Sequence, residues 1–104
     1  MSIINATKEN FQNEVLSAQQ TVLIDFWAPW CGPCRMLSPI VDQLAEELGD
    51  AVKVCKVNVD EQGELAAQFR VMGIPMLAVM KNGRLMNTAV GVQPKKAIAA
   101  MLEG

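Results

Sequence analysis

Apolar and polar positions along the chain fall into blocks whose spacing switches between a strand period and a helix period. Val22-Leu23-Ile24-Asp25-Phe26-Trp27 is a near-continuous apolar run of strand length, the pattern of a central strand covered on both faces. Ala51 to Val59 is rich in valine and predicts a second such strand. Residues 76–80 and 84–90 predict two strands joined across Asn82-Gly83, a strong two-residue hairpin signal. Residues 2–5 predict one further short strand. Over residues 32–48 the spacing becomes helical: Leu37, Ile40, Val41, Leu44 and Leu48 form one stripe, and Gly49 is placed to end it. Pro39 inside this helix is expected to kink it. Thr7 is placed to cap a helix over 8–18 that buries Phe11, Val15 and Leu16. Residues 62–69 predict a short helix. Pro94 fits the first turn of a last one, with Ile98, Met101 and Leu102 facing inward. Strands separated by helices, then a hairpin, then a helix predict an α/β fold with a mixed sheet and helices on both faces.

Composition narrows the function. With 104 residues, 51% of them hydrophobic, residues 1–104 make one domain that buries about two-thirds of its unfolded surface without a metal or a staple. Nine Lys+Arg against eleven Asp+Glu give a net charge of −2, which argues against nucleic acid, because phosphate binding needs clustered cations. The chain has no histidine, so Ser-His and Cys-His nucleophilic pairs and histidine metal sites are excluded. Three cysteines are too few, and an odd number, for a disulfide-stapled secreted scaffold. Polar residues follow Met1-Ser2-Ile3-Ile4 almost at once, so no secretory segment is expected. No apolar run approaches the ~20 residues of a membrane helix. The expected setting is the reducing cytoplasm.

The chemistry concentrates in Trp30-Cys31-Gly32-Pro33-Cys34. Cys31 falls where the second strand ends and the long helix begins, so its sulfur meets unpaired N–H groups and the positive end of the helix dipole. That environment stabilises a thiolate by about 0.3–2 kcal/mol and draws a thiol that ordinarily titrates near about 8.5 toward neutrality. Cys34 lies one turn deeper, shielded but within disulfide reach. A structural staple with so short a loop constrains the unfolded chain little, about 2 kcal/mol. Zinc needs four ligands, against one cysteine pair and one distant Cys55 here. An iron–sulfur cluster would need cysteines from elsewhere. Redox exchange is the reading the pair favours.

Asp25-Phe26-Trp27-Ala28-Pro29-Trp30-Cys31-Gly32-Pro33-Cys34 resembles the active-site segment of the thioredoxin family. Lys56-Val57-Asn58-Val59-Asp60, Gly73-Ile74-Pro75, Lys81-Asn82-Gly83 and Val90-Gly91 match the family in the same order, so the resemblance covers nearly the whole chain. It implies the thioredoxin fold, a central five-stranded mixed sheet flanked by four helices. It also implies a monomeric cytoplasmic protein-disulfide reductase with no bound cofactor or metal, recharged by thioredoxin reductase with electrons from NADPH. In that mechanism Cys31 attacks a client disulfide and Cys34 resolves the mixed disulfide.

Asp25 interrupts an apolar strand, so burial and a raised pKa are expected from its position. The resemblance implies that it helps deprotonate Cys34. Lys56 shares a strand face with Val52 and Val54, odd for a solvated lysine; the matching family lysine implies a partly buried Asp25–Lys56 pairing. The resemblance further implies a cis bond before Pro75, facing the Cys31 sulfur. A shallow client groove would be framed by Trp30, Gly32, Pro33, Gly73, Ile74, Pro75 and Gly91. Trp27 is expected to pack in the core beside the site.

Three positions depart from the family pattern. Met76 stands where threonine is usual and Met72 precedes Gly73; ordinary packing is expected of both, with an adaptable client surface the other reading. Arg35 replaces the common lysine and keeps its charge. Cys55, mid-strand among valines, is expected to be buried and inert rather than regulatory. Two other functions remain open on sequence. An isomerase or oxidase would carry another dipeptide between the cysteines, and a binding subunit would work without its thiols.

Overall fold

Residues 3–104 are described by a computed structural model; residue 2 of the first predicted strand lies outside the described residues. The apolar run appears as β2 (Thr21–Trp27), in which Val22 to Phe26 are all buried. Both faces can be covered because β2 is central. β1 (Ile4–Asn5), β3 (Val52–Asn58), β2, β4 (Met76–Lys81) and β5 (Arg84–Val90) form one sheet in the order β1-β3-β2-β4-β5. β1 and β2 run parallel to β3, β4 pairs antiparallel with β2, and β5 pairs antiparallel with β4. A parallel β2–β3 pair needs a crossover, and α1 (Gly32–Leu48) supplies it. α2 (Gly63–Gln68) and α3 (Lys95–Glu103) complete the α-helices among the described residues.

The alternation of side chains across the strands divides the core in two. On one face Ile24, Phe26, Cys55, Val57 and Ala78 pack against Phe11, Val15 and Leu65, with Phe69 stacked edge-on to Phe11 at 5.7 Å between ring centroids. On the other, Leu23, Val54, Leu77 and Val79 meet Leu37, Val41 and Leu44 of α1 and Ile98 and Leu102 of α3. The predicted mixed sheet with helical cover on both faces is what forms.

The predicted helix over 8–18 forms in part: a turn over 8–10 leads into helical backbone from Phe11 to Leu16, π-helical over Gln12–Leu16. Thr7 caps the opening turn as expected, in a reciprocal capping box with Asn10. Asn10 Oδ1 accepts the Thr7 N–H at 2.7 Å, Thr7 Oγ1 accepts the Asn10 N–H at 3.3 Å, and Asn10 Nδ2 donates to the Asn5 carbonyl at 3.0 Å. Phe11 and Val15 are buried as expected, and Leu16 is partly buried against the same core. The hairpin has φ values of 53° at Asn82 and 76° at Gly83, the two positive angles of a type I′ turn. Pro94 directly precedes α3 rather than opening its first turn.

Candidate active site

Cys31 is the N-cap of α1, with extended backbone angles (φ −90°, ψ 111°), and its sulfur accepts the Cys34 N–H at 3.2 Å. The helix start thus places a backbone donor on this sulfur, as its position in the sequence implies. Pro33, in the first turn, has no N–H to leave unpaired. Cys31 and Cys34 are joined as a disulfide, with Cα atoms 5.3 Å apart. Exposure does not separate the two: each residue is only 4% accessible. What separates them is direction, since Cys34 lines a cavity that opens to the surface between Pro29 and Arg35 and Cys31 does not.

The rim is exposed and apolar. Trp30 is 66% accessible, and Pro29, Gly32 and Pro33 are exposed beside it. The indole N–H of Trp30 donates to Asp60 Oδ2 at 3.0 Å, and Asp60 is itself held by its N–H on Asn58 Oδ1 at 2.9 Å. Arg35 donates to the Pro29 carbonyl at 3.0 Å and so ties the loop to α1. Across from this rim the Ile74–Pro75 peptide is cis, and Ile74 packs against the cluster of Ala28, Cys31 and Cys34. Gly91 (φ 96°) donates its N–H to the Pro75 carbonyl at 2.8 Å. A Cβ on Gly73 would lie 3.3 Å from Val90 Cγ1, so this turn sits tight on the end of β5. The fold therefore brings Gly73, Ile74, Pro75 and Gly91 together, with Ile74 seated against the cysteines.

Behind the pair lies a cavity of about 320 Å³ bounded by Asp25, Trp27, Cys34, Arg35, Ser38 and Lys56 among others. Asp25 is 1% accessible and its Oδ1 has no hydrogen-bond partner. Burial pushes its carboxyl up to about 6; the Lys56 charge pulls it down less, and Asp42 adds a further push upward. Trp27 is half-buried and packs against the cysteine cluster.

The expected Asp25–Lys56 pairing is corrected by the structure. The two residues are register partners on adjacent strands, but the Lys56 ammonium turns to α1, donating to Ser38 Oγ at 2.7 Å and to Asp42 Oδ1 at 2.8 Å. A long flexible stem lets it reach the helix. Met72 is corrected as well. Met76 starts β4 and is buried by the pleat, whereas Met72 lies in the preceding loop and is 95% accessible. Cys55 is fully buried at mid-strand, and burial raises its thiol to about 11.

Sequence reasoning passed over Ser38 and Asp42, and gave Asp60 no role beyond its place in the Lys56–Asp60 match. The first two were readable in part: Cys34, Ser38 and Asp42 recur every four residues along one line of α1. For Asp60 no spacing rule links it to Trp30. Among the described residues no group of three or more His, Cys, Asp or Glu side chains is arranged to hold a metal ion. No described helix is long and apolar enough to cross a membrane.

The family model described as thioredoxin matches residues 2–104. The chain is 47% identical to thioredoxin 1 of Synechococcus elongatus over 104 residues, covering 99% of this chain and 97% of that protein. It is 44% identical to the thioredoxin of Bacillus subtilis over 102 residues, 98% and 96% of the two chains. With the Rickettsia typhi thioredoxin it shares 46% identity over 94 residues, 90% of each. With that match and a cysteine pair seated at a helix start for dithiol–disulfide exchange, the chain belongs to the thioredoxin family of disulfide oxidoreductases, its own Cys31–Cys34 pair being the redox group.

Proposed function

We propose that the protein reduces disulfides in client proteins in a reducing cytoplasm, as a monomer recharged by thioredoxin reductase with electrons from NADPH. The Cys31 thiolate attacks one client sulfur, forming a mixed disulfide and releasing the other client sulfur as a thiolate. Cys34 gives its proton to Asp25 and attacks the Cys31 sulfur. The second client sulfur leaves, and the two electrons now on the client came from the Cys31 and Cys34 thiols. The observation that carries the assignment is the asymmetry of the pair. The Cys31 sulfur takes the helix-start N–H, while Cys34 borders the cavity that holds Asp25.

A buried carboxyl titrating at about 6 is matched to moving a proton near neutral pH. Lys56 is the charge that tempers it. Trp30, Gly32, Pro33, Gly73, Ile74, Pro75 and Gly91 form the rim on which an extended client lies; the exposure of Trp30 and the packing of Ile74 on the cysteines support this. The test is insulin disulfide reduction with NADPH and a thioredoxin reductase. Cys34→Ser should accumulate a mixed disulfide with insulin, and Cys31→Ser should neither turn over nor trap insulin. Trapping by Cys31→Ser instead would reverse the roles. Full activity of the Cys31→Ser, Cys34→Ser double variant in a cellular complementation assay would replace the reductase reading with a binding one.

A further inference from the structure

Lys56 stands beside a buried carboxylate and does not bond to it. Asp25 and Lys56 are paired in register on neighbouring parallel strands, about 4.8 Å apart in such a sheet, and both border the same cavity. With Asp25 Oδ1 lacking any partner, Coulomb attraction taken alone would draw the ammonium into an ion pair across the cavity. Both bonds of the ammonium go instead to α1, to Ser38 Oγ at 2.7 Å and Asp42 Oδ1 at 2.8 Å.

We propose that Ser38 and Asp42 are positioning residues that hold the Lys56 ammonium against α1 and so keep it from pairing with Asp25. The inference rests on the reading of Asp25 as the proton acceptor for Cys34. A carboxylate clamped by a lysine is a weak base, and one left to burial alone is a stronger one. The hold is poised rather than rigid. The Asp42 side chain is 51% exposed, so its ion pair is weak by itself, and the Ser38 hydroxyl supplies the second anchor. Removing either should release the lysine toward the cavity.

The charged groups around Asp25 are few. Lys56 comes from β3, and Arg35 and Asp42 come from α1, Arg35 being engaged on the Pro29 carbonyl. β4 presents apolar Leu77 opposite Asp25. Ser38→Ala is therefore the cleaner perturbation, because it removes no charge.

The experiment titrates the Asp25 carboxyl carbon by NMR in the oxidised full-length protein, where neither active-site thiol titrates. Ser38→Ala and Asp42→Asn should each lower the midpoint, by at least about one pH unit if the lysine reaches Asp25, and Ser38→Thr should restore it. In a Lys56→Met background, Ser38→Ala should leave the midpoint unchanged and Asp42→Asn should move it by less than in the parent. Unmoved midpoints in both single variants, or equal movements with and without Lys56, would overturn the proposal.

A second readout separates this idea from the one beneath it. The acidic limb of the single-turnover rate of Cys34 resolution should move down with the NMR midpoint in Ser38→Ala. If the midpoint moves and the limb does not, the restraint on Lys56 stands and Asp25 is not the proton acceptor.

Discussion

Asp25 is retained at a cost to stability that can be measured. Replacing it by Asn keeps the shape and removes the ionisation. The folded carboxyl titrates at about 6 against an ordinary 3.8, a difference of about two pH units, and each unit is worth about 1.4 kcal/mol. The sign follows from proton uptake. Between those two values the folded protein holds the proton and the unfolded chain does not, so folding loses stability as pH rises from about 4 to about 6. Above that window the wild type should have lost about 3 kcal/mol, which Asp25→Asn does not lose. The buried amide carries its own cost of about 1–3 kcal/mol, but that cost is the same at every pH and cancels in the comparison. Guanidinium unfolding of both oxidised proteins at pH 3.5 and pH 7.5 gives the quantity directly. The stability of Asp25→Asn relative to wild type should rise by about 3 kcal/mol between the two pH values. A difference that stays constant with pH, or that falls, would refute the raised carboxyl. In the reduced protein the same variant should slow resolution by Cys34 across pH 6–8, while its first attack on client is unaffected.

Three other outcomes follow from particular contacts. Cys55 is fully buried and its thiol is raised to about 11, so iodoacetamide at pH 8 should label two cysteines in the native reduced protein and the third only after unfolding. Gly83→Ala should destabilise the fold by about 1–2 kcal/mol in chemical unfolding, because φ there is 76° and the new Cβ would sit 3.1 Å from the Leu16 carbonyl oxygen; a neutral result would discount the turn geometry. Asp60→Ala removes the acceptor of the Trp30 indole N–H and should shorten the fluorescence anisotropy decay of Trp30 in a Trp27→Phe background. Its kcat/KM for insulin should fall severalfold, with global stability changed by less than about 1 kcal/mol.

The strands and long helices were legible because burial on both faces, or on one stripe, leaves a periodic trace that tertiary packing reinforces. Val22 to Phe26 and the Leu37–Val41–Leu44 stripe are such traces, and both elements stand within a residue of their expected bounds. The 8–18 helix was legible in its Thr7 cap and in the burial of Phe11 and Val15, but not in its shorter, π-helical form, because three apolar residues do not fix where a helix ends. The cysteine pair was legible at the level of a single motif, since the helix-start donor comes from chain-adjacent residues. The destination of Lys56 was not. Strand periodicity assigns a residue to a face, but the path of a four-carbon stem depends on acceptors from another element, here Ser38 and Asp42. Met72 misled for a similar reason, because composition favours burial of a methionine while its loop holds it out in water.

The division of labour between the two sulfurs is tested most directly by timed alkylation. Reduced protein is treated with iodoacetamide at pH 7, quenched at intervals, and each cysteine-containing peptide is quantified by mass spectrometry. Cys31 should be modified at least about tenfold faster than Cys34, since its sulfur is the one that takes the helix-start N–H. Equal rates for Cys31 and Cys34, or faster modification of Cys34, would contradict the account.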